Sequence, residues 1–281
     1  MSITKWFGLG SQAVDRFSAN DGDGTGATVL NPAHARRNRH ELADVAQRFI
    51  TQHLATVVAP PQAPVMWRAV TRLFELYDRR PIKLDPKGSG FHNLFWMFLT
   101  NHILQPSLIV ESGVRKGMST WILRAAAPDA TIHSFDITLE KLKFRDLSIH
   151  FHENDWMEQI VEPEDPRSSL YFFDDHVTQA MQIQQAHERG FRHLVFDDCM
   201  PAHRIADFGA PPAPTEAMLM DGNLNPGDTF EWEWDGRQRR YEFRPEDTFD
   251  TKELVSHWAA YPYIGGTSES PSYLTYVRLV A

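Results

Sequence analysis

The chain has 281 residues, of which 42% are hydrophobic and 23% charged, and its formal net charge is −9. That is enough apolar material for one large α/β domain with additions, and too little length for two full-sized domains to be the default. The acidic balance excludes a nucleic-acid binder that works through a broad basic surface. The single cysteine, Cys199, excludes an intrachain disulfide framework and a cysteine-rich zinc site, and fits a reducing cytoplasm.

In chain order, MSITKWFGLGSQAVDRF lacks the apolar core and cleavage site of a signal peptide, and residues 6–17 pattern as a short helix. Residues 18–33, rich in Gly, Asp, Asn and Thr, predict a flexible loop with little to bury. Asp21, Asp23, Thr25 and Gly26 echo the start of an EF-hand calcium loop. Pro32, however, occupies the twelfth position, where a bidentate Glu must close the coordination sphere, so the segment reads as a linker. HARRNRH at 34–40 reads as a solvated helix start, with a phosphate or anion contact as the alternative. Helices are predicted over 41–58, 65–77 and 91–104, the first two split by APPQAP. The apolar run 93–104 is too short and too polar to span a bilayer, so it reads as a buried helix and no membrane partner is expected. Residues 1–104 are therefore expected to be a helical N-terminal extension.

Residues 105–281 have a different texture. Short apolar runs at 108–111, 131–136, 148–153, 170–174 and 193–197 alternate with amphipathic stretches, as in βαβ units of a parallel sheet. HVTQAMQIQQAHER, before the fifth strand, predicts a helix that buries Val177, Met181 and Ile183 and stops at Gly190. Residues 229–243 alternate around Asp235-Gly236, a hairpin signal, and SYLTYVRLV closes the chain as a strand. The expected fold class is α/β, a Rossmann-like, doubly wound, mostly parallel sheet with a helical N-terminal extension and a C-terminal β-hairpin that shapes the acceptor pocket.

Each predicted strand ends in acid: Glu111, Asp136, Glu153 with Asp155, Asp174 with Asp175, and Asp197 with Asp198. Ligands of open parallel sheets sit beyond these carboxyl ends, where an acidic side chain is costly without a role. The alternative for any one of them is a helix cap. After the first strand, Glu111-Ser112-Gly113-Val114-Arg115-Lys116-Gly117-Met118-Ser119-Thr120 supplies the turn. Gly113 allows a tight reversal, Gly117 is expected to clear space for a cofactor, and Ser119 and Thr120 are expected to bond at the helix start. This is E-x-G-x-x-x-G rather than the dinucleotide G-x-G-x-x-G. Glu111 would repel a pyrophosphate but suits a ligand carrying an amino group and a sulfonium charge. Asp136, 25 residues after Glu111, is spaced to receive ribose hydroxyls, and Asp155 with Trp156 stands where a third strand would meet an adenine ring.

Residues 108–198 resemble the core of class I S-adenosylmethionine-dependent methyltransferases. The resemblance implies seven strands with an antiparallel last one. It also implies methionine contacts near Glu111, Gly113 and Gly117, ribose contact by Asp136 and adenine contact by Asp155. YFFDDHVTQ and LVFDDCMP are similar to segments of metal-dependent sugar and natural-product O-methyltransferases. That likeness implies magnesium held by Asp174 or Asp175 together with Asp197 and Asp198. Carboxylates suit that hard cation, and a bound cation would acidify an acceptor hydroxyl. Asp197 and His176 are the candidate catalytic groups, His176 as proton acceptor, with a helix-start hydrogen bond as its alternative.

The expected activity is methyl transfer from S-adenosylmethionine to a hydroxyl of a small molecule or glycan, assisted by magnesium. The expected partner is that acceptor, not nucleic acid, with self-association into a homo-oligomer left open. Two rivals stand beside this reading: a nicotinamide-dependent oxidoreductase, and a non-catalytic methyltransferase-like binding subunit.

Overall fold

A computed structural model describes residues 38–83, 88–207, 209, 211–221, 224–248, 250–264 and 273–281. The predicted helix at 6–17, the loop at 18–33 with its EF-hand echo, and residues 34–37 of the basic cluster lie outside the described residues.

Among the described residues, three helices come first: α1, Arg39–His53; α2, Ala63–Asp78; and α3, Phe91–Leu104. Pro64 sits in the first turn of α2, where its fixed φ suits the helix and its missing N–H costs nothing. Met66, Ala69, Val70, Leu73 and Phe74 then form one buried stripe at helical spacing. α3 is buried on all sides from Phe91 to Asn101 and ends at Gln105 in the left-handed region, φ 46°. Among the described residues, no helix is long and apolar enough to cross a membrane.

The sheet follows with β1, Leu108–Ser112; α4, Met118–Ala126; β2, Thr131–Phe135; β3, Ile149–His152; and β4, Ser169–Phe173. After these come α5, Gln179–Glu188; β5, His193–Phe196; and α6, Glu216–Met220. A hairpin of β6, Thr229–Trp234, and β7, Arg237–Glu242, stands as a separate two-stranded sheet. α7, Thr251–Leu254, leads into β8, Val255–Ala260, and the chain closes with β9, Thr275–Leu279. The main sheet has the order β3-β2-β1-β4-β5-β9-β8. β1 through β5 pair in parallel, and β9 runs antiparallel to both β5 and β8. The fold is the expected Rossmann-like, mostly parallel sheet with helices, seven strands and an antiparallel last strand.

Successive strand residues point to opposite faces, and both faces are covered, which is why these strands read as unbroken apolar runs. Ile109, Leu170 and Phe172 face a core shared with α1, α2, α3 and α4, whereas Val110, Tyr171 and Phe173 face a second core with Ile183 and Ala186 of α5. The described part of the predicted extension thus packs directly on one face of the sheet. Asp235 and Gly236 form the hairpin turn with φ of 55° and 70°, as two-residue turns require.

Three expectations are corrected. α1 stops at His53 instead of residue 58. α5 begins after Val177, and it buries Gln179, Ala180, Gln182, Ile183 and Ala186, leaving Met181 partly exposed. β8, absent from the expected strands, fills the outer edge of the sheet beside β9.

Candidate active site

All five parallel strands point their carboxyl ends toward one side of the sheet, where the strand order reverses between β1 and β4. A cleft of about 390 Å³ opens there. Its wall includes Ser112, Gly113 and Ser119 from the first turn, Asp136 after β2, Asn154 and Asp155 after β3, and Asp174 and His176 after β4. Asp175 also lines it, as do Gly88, Ser89 and Lys141, which had no signal in the sequence because they come from loops.

The turn is built by backbone geometry. Gly113 has φ 95°, and a Cβ there would lie 2.2 Å from the carbonyl oxygen of Asp174, so only glycine lets β1 and β4 approach at this point. Gly117 caps α4 with φ 87°, and a Cβ would lie 3.0 Å from Leu142 Cδ1. The expected reason for Gly117 is therefore corrected: it clears room for Leu142 and Phe144, not for a ligand. Ser119 and Thr120 do not cap the helix either; both are buried in its first turn.

Glu111 is fully buried and does not line the cleft. Its Oε2 accepts hydrogen bonds from Thr120 Oγ1 at 2.6 Å and Ser134 Oγ at 2.7 Å, tying β1 to α4 and β2. Burial raises its pKa against those bonds. The expectation that Glu111 and Thr120 touch a ligand is corrected to a supporting role beneath the turn. Asp136 lines the cleft, and its Oδ2 accepts from the backbone N–H of Val114 at 3.0 Å and of Arg115 at 2.8 Å. Thr138 N–H donates to Oδ1 at 3.1 Å. A carboxylate offers about four lone-pair sites, so a site on Oδ1 remains for a ligand hydroxyl. Asp155 also lines the cleft while accepting from Met157 N–H at 2.7 Å. Trp156 is a correction: it is buried in the second core, edge-on to Tyr171 at 4.5 Å and beneath the Arg189 guanidinium at 4.4 Å.

The acidic residues after β4 and β5 divide into two sets. Asp175 accepts from Ser112 Oγ at 2.5 Å, Gln182 Nε2 at 2.6 Å and Val177 N–H at 3.1 Å, which joins β1, β4 and α5. Asp197 accepts from Asn93 Nδ2 of α3 at 2.6 Å and from Asp198 N–H at 2.9 Å. The remaining groups, Asp174, His176 and Asp198, bring one ligand atom each within 4.8 Å of one another. The expected convergence of Asp174 or Asp175 with Asp197 and Asp198 is corrected accordingly: His176 joins the cluster, and Asp175 and Asp197 lie outside it. Only the fold could resolve the Asp174-Asp175 ambiguity, because adjacent residues leave a strand end in opposite directions.

His176 Nδ1 stands 3.3 Å from Asp198 Oδ2, and both residues hold left-handed backbones, φ 58° and 54°. Such conformations are costly for non-glycine residues and gather at functional sites. Burial, reinforced by Asp197 and Asp198, pushes the Asp174 carboxyl well above its ordinary pKa. Burial likewise raises Asp198 to about 6, against the opposing pull of His176.

No family model and no curated protein matches this chain. Among solved structures it is similar to CmcI with magnesium and S-adenosylmethionine: 16% identity, 68% of this chain and 72% of that one covered, TM-score 0.43. It is also similar to a putative O-methyltransferase from Klebsiella pneumoniae: 15% identity, 86% and 99% covered, TM-score 0.44. A Podospora anserina methyltransferase bound to S-adenosylhomocysteine gives 13% identity, 92% and 100% covered, and TM-score 0.44. With TM-scores below 0.5 these likenesses are weak, and the fold stands on its own strand order.

Proposed function

We propose that this chain transfers the methyl group of S-adenosylmethionine to a hydroxyl of a small molecule or glycan, with a divalent cation held by Asp174, His176 and Asp198. The observation that carries the reading is one cleft whose wall includes both the turn-side residues Gly113, Ser119, Asp136 and Asp155 and the first two groups of the cation cluster. Its volume, about 390 Å³, lies within the range of small-molecule sites.

The residues suit such a cofactor. Asp136 retains acceptor capacity for a ribose hydroxyl, Asp155 stands at the next strand end, and the Asp136 carboxylate favours a ligand carrying positive charge. When bound, the cofactor supplies an electrophilic methyl group on a sulfonium. The cation cluster also fits its guest, since carboxyl groups forced close together in a buried place hold protons that a cation can replace. A cation bound there would lower the pKa of an acceptor hydroxyl. The expected magnesium set consisted of carboxylates alone. An imidazole in the set widens the choice to first-row ions such as manganese.

The His176–Asp198 contact supports a second reading. An imidazole whose Nδ1 faces a carboxylate is oriented for its Nε2 to accept a proton from the acceptor hydroxyl without any metal.

The test is calorimetric titration of S-adenosylhomocysteine, followed by magnesium and manganese titrations into wild type and Asp174→Asn. At a hundredfold excess over its dissociation constant, S-adenosylhomocysteine should stabilise the fold by roughly 2.7 kcal/mol. No binding at millimolar ligand would overturn the cofactor assignment. Cation binding that is equally negligible in both proteins, with S-adenosylhomocysteine present, would leave the His176 base reading in place.

A further inference from the structure

At the β3 edge of the sheet, β2 and β3 carry a second group of side chains of metal-ligating type. His150 and His152 are two apart on β3, so they project from the same face, and His133 of β2 is directly opposite His150 in the parallel register. His133 Nδ1 and His152 Nε2 share a hydrogen bond at 3.1 Å, so the donating ring must shift its proton to its other nitrogen before both can ligate one ion. Two nitrogens bound to one zinc at 2.0–2.1 Å with a tetrahedral angle are about 3.3 Å apart. The pair therefore already has nearly the separation that chelation needs.

The surroundings hold two of these rings in place. His152 stacks on Phe135 with centroids 4.4 Å apart, and Phe135 is buried in the second core. His133 is half-buried and stacks on His150 at 4.7 Å. His150 is exposed, so its ring is free to turn. Among the described residues, only Asp174, His176 and Asp198 already bring three ligand atoms within 4.8 Å. Closing a third bond at the sheet edge thus requires His150 to rotate off its stack.

We infer that His133, His150 and His152 form a binding site for a borderline divalent transition ion, zinc or nickel, separate from the cleft. The donor chemistry separates the two sites: three imidazoles favour zinc, nickel or copper, whereas carboxylates favour magnesium and manganese. An imidazole ligates through the lone pair of its neutral form, which predominates at pH 7.5 for an ordinary histidine. β3 is the edge strand of the sheet, paired only with β2. An ion held by His133 on one strand and by His150 and His152 on the other would clamp that edge.

The test uses the full chain carrying Asp174→Asn, which disables the acidic cluster so that zinc counted there is not confused with zinc at the edge. Zinc is titrated against a chromogenic chelator at pH 7.5, and cobalt is added in parallel to read its visible absorption. One equivalent of zinc and a tetrahedral cobalt band are expected, with a rise in melting temperature on adding zinc. Adding His150→Gln and His152→Gln, both at accessible positions, should weaken zinc binding at least tenfold and abolish the cobalt band and the thermal shift. S-adenosylhomocysteine binding should stay as it was. Unchanged zinc affinity and stoichiometry in the histidine variant, or no stoichiometric zinc in its parent, would overturn the assignment. His152→Gln alone covers the case in which the double variant misfolds, and it should lose the cobalt band by itself.

Discussion

At the scale of single residues, the site stores electrostatic strain in carboxyl groups. Asp198, raised to about 6, binds more protons folded than unfolded between about pH 4 and pH 6, so it removes stability as pH rises through that window. Asp198→Asn should therefore stabilise the cation-free protein above pH 6, by about 3 kcal/mol at most. Asn also tolerates the left-handed backbone at this position. Urea melts at pH 5 and pH 8 read the effect, and a gain that is equal at both would contradict the assignment. Removing Asp136 should instead destabilise the fold, because its Oδ2 holds the Val114 and Arg115 amides. Asp136→Ala should weaken S-adenosylhomocysteine binding by roughly tenfold to a hundredfold and lower stability by about 1–3 kcal/mol. Calorimetry and thermal melts measure the two losses separately.

At the scale of elements, the turn between β1 and α4 depends on two glycines for different reasons. Gly113→Ala would drive a Cβ to 2.2 Å from the Asp174 carbonyl oxygen, so β1 and β4 must separate and the cost should be several kcal/mol. Gly117→Ala meets the softer Leu142 side chain and the left-handed penalty, about 1–2 kcal/mol. Equilibrium denaturation should rank Gly113→Ala as much the worse, and a reversed order would mean that β1 and β4 are not this close. α3 contributes through Asn93, whose amide holds Asp197 beside the cluster. Asn93→Ala should cost about 1–3 kcal/mol and loosen the β5 end. A drop in cation affinity with intact S-adenosylhomocysteine binding is the expected pattern.

For the whole molecule, the notable feature is the number of buried or half-buried imidazoles. His53, His92, His133 and His193 are each held down to about 4, chiefly by burial. A histidine whose folded pKa lies below its unfolded 6.5 binds fewer protons folded, so the stability it confers above pH 6.5 is lost as pH falls toward 4. Thermal melts should show a loss of stability from these histidines between pH 6.5 and pH 4. His53 and His257 lie 3.2 Å apart across α1 and β8, so protonation there would also loosen α1 from the sheet. A flat profile through this range would mean that these histidines are solvated.

The sheet was legible because its strands are buried on both faces. Runs such as LIV at 108–110 and HLVF at 193–196 have no other economical conformation between turn signals, and Gly113, Gly190 and Asp235-Gly236 mark the turns by the left-handed backbones they adopt. β8 was not legible, since VSHWAA is only partly buried and becomes a strand by pairing with β9. At the site, the sequence by itself determined that acidic residues end the strands and that a glycine turn follows the first. Tertiary structure alone decided their separate tasks, because a strand-end carboxylate can face the cleft or turn to a neighbour. Glu111 and Asp197 turned to Thr120 and Asn93, 9 and 104 residues away in the chain, while Asp175 lines the cleft yet is bonded to Gln182, 7 residues away. Asp174 and Asp198 were left facing His176. Hydrogen-bond partners of that kind are brought together by packing, and local sequence pattern carries no record of them.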